Sequence, residues 1–145
     1  MTTPEYPKEV VEYMEALGAK RLNPNSPRVL ERLYQTKKVL HDVGTEGLLQ
    51  NTDLSQSVLT GANLKKACLY GVNLSDAGLG GVNFQEVNLM TANLCRARFP
   101  QASLQRANLR RANLEQAQFW RANLKEAIFL KNNCKGANFE KANLQ

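Results

Sequence analysis

The chain has 145 residues, the size of one common domain or of a core with a small appendage, and a second catalytic domain does not fit in it. Its longest apolar run is a few residues, and the start MTTPEYPKEVVEYMEALGAK carries neither a basic n-region nor an apolar h-region. Membrane spans and signal peptides are thereby set aside, and a cytoplasmic protein is the expectation. The formal net charge of +6 is unevenly placed: residues 1–50 hold seven Lys/Arg and seven Asp/Glu, so an excess of twelve basic over six acidic side chains falls in 51–145.

In chain order, YPKEVVEYMEALGAK places Val10, Val11, Met14 and Leu17 at helical spacing and stops at Gly18, which predicts a short amphipathic helix. NPNSPRVLERLYQTKKVLHDVG follows with Ser26 as N-cap and Pro27 in the first helical position. Its apolar face is Val29, Leu30, Leu33, Tyr34 and Leu40, and Gly44 ends it. Residues 1–49 are read as a two-helix segment that caps what comes next, against Leu54, Leu59 and Leu64.

From residue 50 the pattern changes. Leu or Phe recurs every fifth position from Leu54 to Leu144, nineteen positions without an insertion, the one exception being Cys134. Two residues earlier stands Ala at thirteen of the nineteen, with Val72, Val82, Val87, Thr52, Ser57 and Asn132 at the rest. Five residues turn a helix by about 500°, which scatters such positions around the axis. Five is odd, so a strand alternates them between faces. A chain that turns a corner once per unit aims all of them at one axis. If four units close a coil, the period is twenty residues, and stacked coils satisfy one another's backbone at about 4.8 Å spacing. The large residues then fill the middle, and Ala sits where the backbone comes close to it.

The stretches ANLKKACLYGVNL and ANLRRANLEQAQFWRANLKEA resemble the A-(D/N)-L-x-x motif of the pentapeptide-repeat family over residues 50–145. The resemblance implies a mainly β fold, a right-handed quadrilateral β-helix of roughly 4.75 coils and about 23 Å in length at strand spacing. Read at intervals of twenty, Leu59, Leu79, Phe99, Phe119 and Phe139 form one column, in which the Phe rings are expected to stack. Leu109, Leu114, Phe119 and Leu124 line the four walls of a single coil, and Leu114→Asp or Phe119→Asp is expected to prevent folding around it. The C-terminal coil with Phe129, Cys134, Phe139 and Leu144 has no evident cover, which suggests a homodimer through this end or through the N-terminal helices.

Residues suited to chemistry are few. His41 falls near a predicted helix C-terminus, where it complements the helix dipole. Gly71, Gly78, Gly80 and Gly81 read as turn glycines, with no helix behind them to cradle phosphate. Asp76, Glu86, Glu115 and Glu126 point outward and apart. Cys68, Cys95 and Cys134 form no CxxC pair; Cys134 falls in the core register and is expected to pack there, while the other two face outward. Asn73, Asn93, Asn113 and Asn133 are expected to satisfy corner backbone groups. No catalytic residue, metal site or cofactor is expected, and the protein is read as a non-enzyme.

What remains is surface. Basic residues gather in the later coils, with Arg106 and Arg110/Arg111 flanking one corner and Arg111 stacked on Lys131 twenty residues on. A first candidate interaction surface is Arg106, Arg110, Arg111, Trp120, Arg121 and Lys131, with Pro100 one coil below Trp120. A second is the wall bearing Tyr70, Met90, Arg110, Ile128 and Leu130 outward. The expected function is a protein-interaction or scaffold module with an unidentified protein partner, the part that the resemblance implies for many family members, cyanobacterial ones included. Nucleic-acid binding through the basic coils is the competing reading. The resemblance also implies gyrase binding by mimicry of duplex DNA, which the positive repeat region, the uninterrupted register and the lack of a C-terminal dimerising helix disfavour.

Overall fold

A computed structural model describes residues 50, 51 and 53–145; the two predicted helices and the proposed cap of residues 1–49 lie outside the described residues. Every β-bridge joins a residue in parallel to the one twenty further on, from Asp53–Asn73 to Asn123–Asn143. Four five-residue units therefore close one coil, the number that the family resemblance implies. A regular interior unit makes four backbone hydrogen bonds, three to neighbouring coils and one across its own corner. The central residue donates its N–H to the next coil, as Leu114 does to the Asn133 carbonyl at 2.8 Å. The residue three further on closes the corner, as Ala117 does to the Leu114 carbonyl at 3.0 Å.

Each corner places its third residue at positive φ, the requirement of a type II turn. Glycine takes this position at Gly61, Gly71, Gly81 and Gly136, but elsewhere a longer side chain does, among them Arg96, Arg106, Arg111, Arg121 and Lys131 at φ of 55–58°. A left-handed non-glycine residue costs about 1–2 kcal/mol. Here that strain is offset by the corner and cross-coil hydrogen bonds that the conformation permits. All five of these side chains are exposed.

The core runs along the axis in four columns, one per face. The first holds Leu54, Leu74, Leu94 and Leu114; the second Leu59, Leu79, Phe99 and Phe119; the third Leu64, Phe84, Leu104 and Leu124; the fourth Leu69, Leu89 and Leu109. All of these are buried, as are the Ala and Val two residues before them. Leu109, Leu114, Phe119 and Leu124 do form the inside of one coil. The expected ring stack is present: Phe99 and Phe119 lie 4.7 Å apart at 7°, and Phe119 and Phe139 lie 5.1 Å apart at 2°. The coil rise sets that spacing, because consecutive members hang from adjacent rungs.

Cys134 departs from its expected packing. Although in the core register, it is exposed, because no described residue lies over the last coil; Leu144 there is 56% exposed. Asn132 marks a second local change. Standing where most units have Ala, it donates Nδ2–H to the Leu109 carbonyl at 2.6 Å and the Ala112 carbonyl at 3.0 Å. In the coil below, the corresponding carbonyl, that of Ala92, accepts the Asn113 N–H instead. The 130–131 corner accordingly lacks the regular turn form, and the buried Asn132 Oδ1 has no partner.

The other asparagines act as expected. Asn73, Asn93, Asn113 and Asn133 accept, on Oδ1, the N–H two residues on, at 3.1–3.2 Å. These Asx contacts hold the chain as it enters each corner.

Candidate interaction surface

With a twenty-residue period, surface chemistry is decided by columns, and a residue's neighbours are those one coil above and below. At the third corner the left-handed positions read Lys66, Glu86, Arg106 and Glu126, alternating in sign. Arg106 Nε donates to Glu126 Oε2 at 2.7 Å. This hydrogen bond and the guanidinium charge hold the Glu126 carboxyl below the usual range. At the first corner Arg96 grips Asp76 with two hydrogen bonds, of 2.7 and 2.9 Å. The Asp76 carboxyl is lowered chiefly by that hydrogen bond, against a smaller opposing effect of burial. Both pairs are solvated, so they set the local charge pattern more than the stability.

Against this background the residues singled out from the sequence separate. Arg106 sits at the third corner, within its carboxylate ladder. Arg110, Arg111 and Lys131 sit at the fourth. Trp120 and Arg121 sit at the second, where the Arg121 guanidinium lies 4.5 Å from the Trp120 ring centroid. The first candidate surface is thus divided among three corners. Arg106 and Arg110/Arg111 do not flank one corner; they bracket the face 107–109, because one five-residue step carries the chain to the next corner.

The fourth corner instead unites half of that set with the second candidate wall. Tyr70, Met90, Arg110 and Leu130 form one column, and Gly71, Thr91, Arg111 and Lys131 form the column beside it. Ile128, bridged to Asn108, stands on the adjoining face. Tyr70 is 38% exposed, Ile128 39% and Leu130 55%. All six carboxylates after residue 50 lie elsewhere: Asp53, Asp76 and Glu115 on the first face and corner, Glu140 on the second, Glu86 and Glu126 on the third. Among the described residues, Arg110, Arg111 and Lys131 carry no ion pair.

Hollows among the described residues add to this surface. One of about 250 Å³ lies along the third corner, between Gln85, Gln105, Lys125 and the Arg106–Glu126 pair. Another, of about 380 Å³, opens at the last coil between Phe129, Asn132, Cys134, Phe139 and Leu144. Among the described residues no group of three or more His, Cys, Asp or Glu is arranged to hold a metal ion. No helix among them is long and apolar enough to cross a membrane.

A four-sided β-solenoid built from one five-residue unit repeated along the chain defines a repeat protein. A family model described as the pentapeptide repeat region matches residues 52–129, and the chain belongs to the pentapeptide repeat family, whose fold is the right-handed β-helix. Among solved structures it is similar to a pentapeptide repeat protein from the cyanobacterium Cyanothece 51142, with 32% identity, a TM-score of 0.63, and 65% of each chain covered. It is also similar to HetL from the cyanobacterium Nostoc sp. strain PCC 7120, a protein involved in heterocyst differentiation regulation, with 30% identity and a TM-score of 0.53. That likeness covers 68% of this chain and 51% of HetL. A third is a pentapeptide repeat protein of the Arabidopsis thaliana thylakoid lumen, with 29% identity, a TM-score of 0.61 and 63% of each chain covered. In each case the match spans less than two thirds of the other chain's length. Among curated proteins, none matches.

Proposed function

We propose that this protein is a non-enzymatic interaction module, and that its fourth corner is the surface presented to a protein partner. The observation that carries the reading is the gathering there of Tyr70, Ile128 and Leu130, three of the five exposed large apolar side chains among the described residues, beside three cations that no described carboxylate pairs with. Folding requires none of these outward residues, since the coil is specified by the inward ones. Apolar and arginine side chains grouped on a rigid framework are what partner surfaces select. A cytoplasmic location accompanies the reading and is supported by the three cysteines, all free.

Affinity capture from the source lysate tests it. The full chain is expected to recover a partner that Tyr70→Ser/Leu130→Ser loses and Trp120→Ala keeps. Loss through Trp120→Ala, with the first variant unaffected, would transfer the function to the second corner. Nucleic-acid binding is less well supported, because the cations are divided among separate corners and two of them, Arg96 and Arg106, are held by carboxylates.

A further inference from the structure

We propose that the fourth corner takes an acidic segment of its partner, one in which two or more carboxylates are flanked by apolar side chains. This rests on the interaction-module reading and names the chemistry of the partner.

The argument comes from register. Three cations at left-handed corner positions have a carboxylate one coil away in the same column, and both arginines pair with theirs: Arg96 with Asp76, and Arg106 with Glu126, while Lys66 stays apart from Glu86. At the fourth corner the same twenty-residue step sets Lys131 over Arg111, with Thr91 and then Gly71 below. Like charges stacked on adjacent rungs repel, and both residues also hold a positive φ, of 58°. Arg110 adds a third cation in the neighbouring column. Arg121 and Lys141 repeat the juxtaposition at the second corner, but there Glu140 precedes Lys141 and the Arg121 guanidinium is laid on Trp120. Among the described residues the fourth corner has neither relief, so the anions that would neutralise it come from outside them.

The apolar groups say what kind of anion. Tyr70 and Met90 lie below the cations and Leu130 and Ile128 beside and above them, so the ridge reads apolar, cationic, apolar over three coil steps, about 14 Å. A free phosphate or a simple acidic tail would use only the middle. A partner segment with carboxylates between apolar residues uses all of it, and its charge would speed docking as well as fix register.

Selection from a random-peptide display library against the full-length protein tests this. The expected outcome is enrichment of peptides with carboxylates flanked by apolar residues. Their affinity should fall about tenfold or more in Arg110→Glu/Arg111→Glu and in Tyr70→Ser/Leu130→Ser, stay within about twofold in Arg121→Glu, and weaken as salt is raised. All the substituted positions face outward, and an unchanged thermal transition by circular dichroism verifies that each variant is folded. Selected peptides that lack carboxylates, or that ignore the corner variants, overturn the proposal and leave the module reading in place. Binding instead to phosphatidylserine vesicles or duplex DNA, lost in Arg110→Glu/Arg111→Glu, overturns it in favour of a lipid or nucleic-acid surface. If no probe binds, the module reading falls with it.

Discussion

Phe119 shows how much one inward residue carries. It stacks on Phe99 and Phe139, is fully buried, and has its own N–H bonded to the Asn138 carbonyl at 2.7 Å. Phe119→Ala removes a ring that neither neighbour can replace, because both are fixed to their own rungs. The expected loss is about 3–5 kcal/mol, read by urea unfolding. Ser57 makes the opposite case. It occupies a position that is usually Ala, is fully buried, and its hydroxyl has no partner. Ser57→Ala is therefore expected to stabilise by about 1 kcal/mol, seen as a higher midpoint in the same experiment; a lower midpoint would mean the hydroxyl is satisfied in solution.

At the scale of the element, the corner is the unit that combines local strain with cross-coil bonding. Its positive φ turns each long side chain into solvent, directly over its counterpart one coil below. Arg96 and Asp76, opposite in sign, pair in this way, as do Arg106 and Glu126, and such a pair makes stability depend on pH. The folded Asp76 carboxyl is lowered by Arg96, so its contribution is present above the ordinary carboxylate range and is lost as pH falls through the lowered value. Thermal midpoints of the wild type and Asp76→Asn are expected to differ slightly at neutral pH and to converge below about pH 4. A gap that widens in acid would contradict the assignment. The pair is solvated, so the difference at neutral pH should stay small.

At the scale of the whole molecule, each coil is stabilised by its neighbours, and local stability follows how many neighbours it has. The coil containing Leu109, Leu114, Phe119 and Leu124 is bonded on both sides. In the last coil, the N–H groups of Phe129, Cys134, Phe139 and Leu144 have no backbone partner among the described residues. Hydrogen exchange is expected to be slowest at the Leu109, Leu114 and Phe119 amides and to approach the unprotected rate at those four. Uniform protection across both coils would show that something covers the last one in solution. The interaction surface belongs to this scale too, because Tyr70 and Leu130 are sixty residues apart in sequence and meet along one ridge only through stacking.

The five-residue beat by itself determined the solenoid and its core, because a chain that turns a corner once per unit brings every fifth residue to a common axis; the coil of four units followed from the family resemblance and is seen in the twenty-residue step of the bridges. It also foretold the Phe stack, since Phe99, Phe119 and Phe139 are twenty apart. Burial of Cys134 was misjudged because register says which way a side chain points, not whether another coil lies over it. Asn132 was visible as a break in the Ala column, yet its reach to the Leu109 and Ala112 carbonyls was not, since side-chain geometry decides it. The twenty-residue register already set Arg110 on the wall with Tyr70, Met90, Ile128 and Leu130, and Lys131 over Arg111. The tertiary structure decided the pairing: it held Arg106 in a carboxylate ladder, laid Arg121 on Trp120 at another corner, and left Arg110, Arg111 and Lys131 without an ion pair among the described residues. The reason is physical: inward residues obey a five-residue rule that can be read along the chain, whereas outward residues find their neighbours twenty apart, and whether they pair or repel depends on the corner they share.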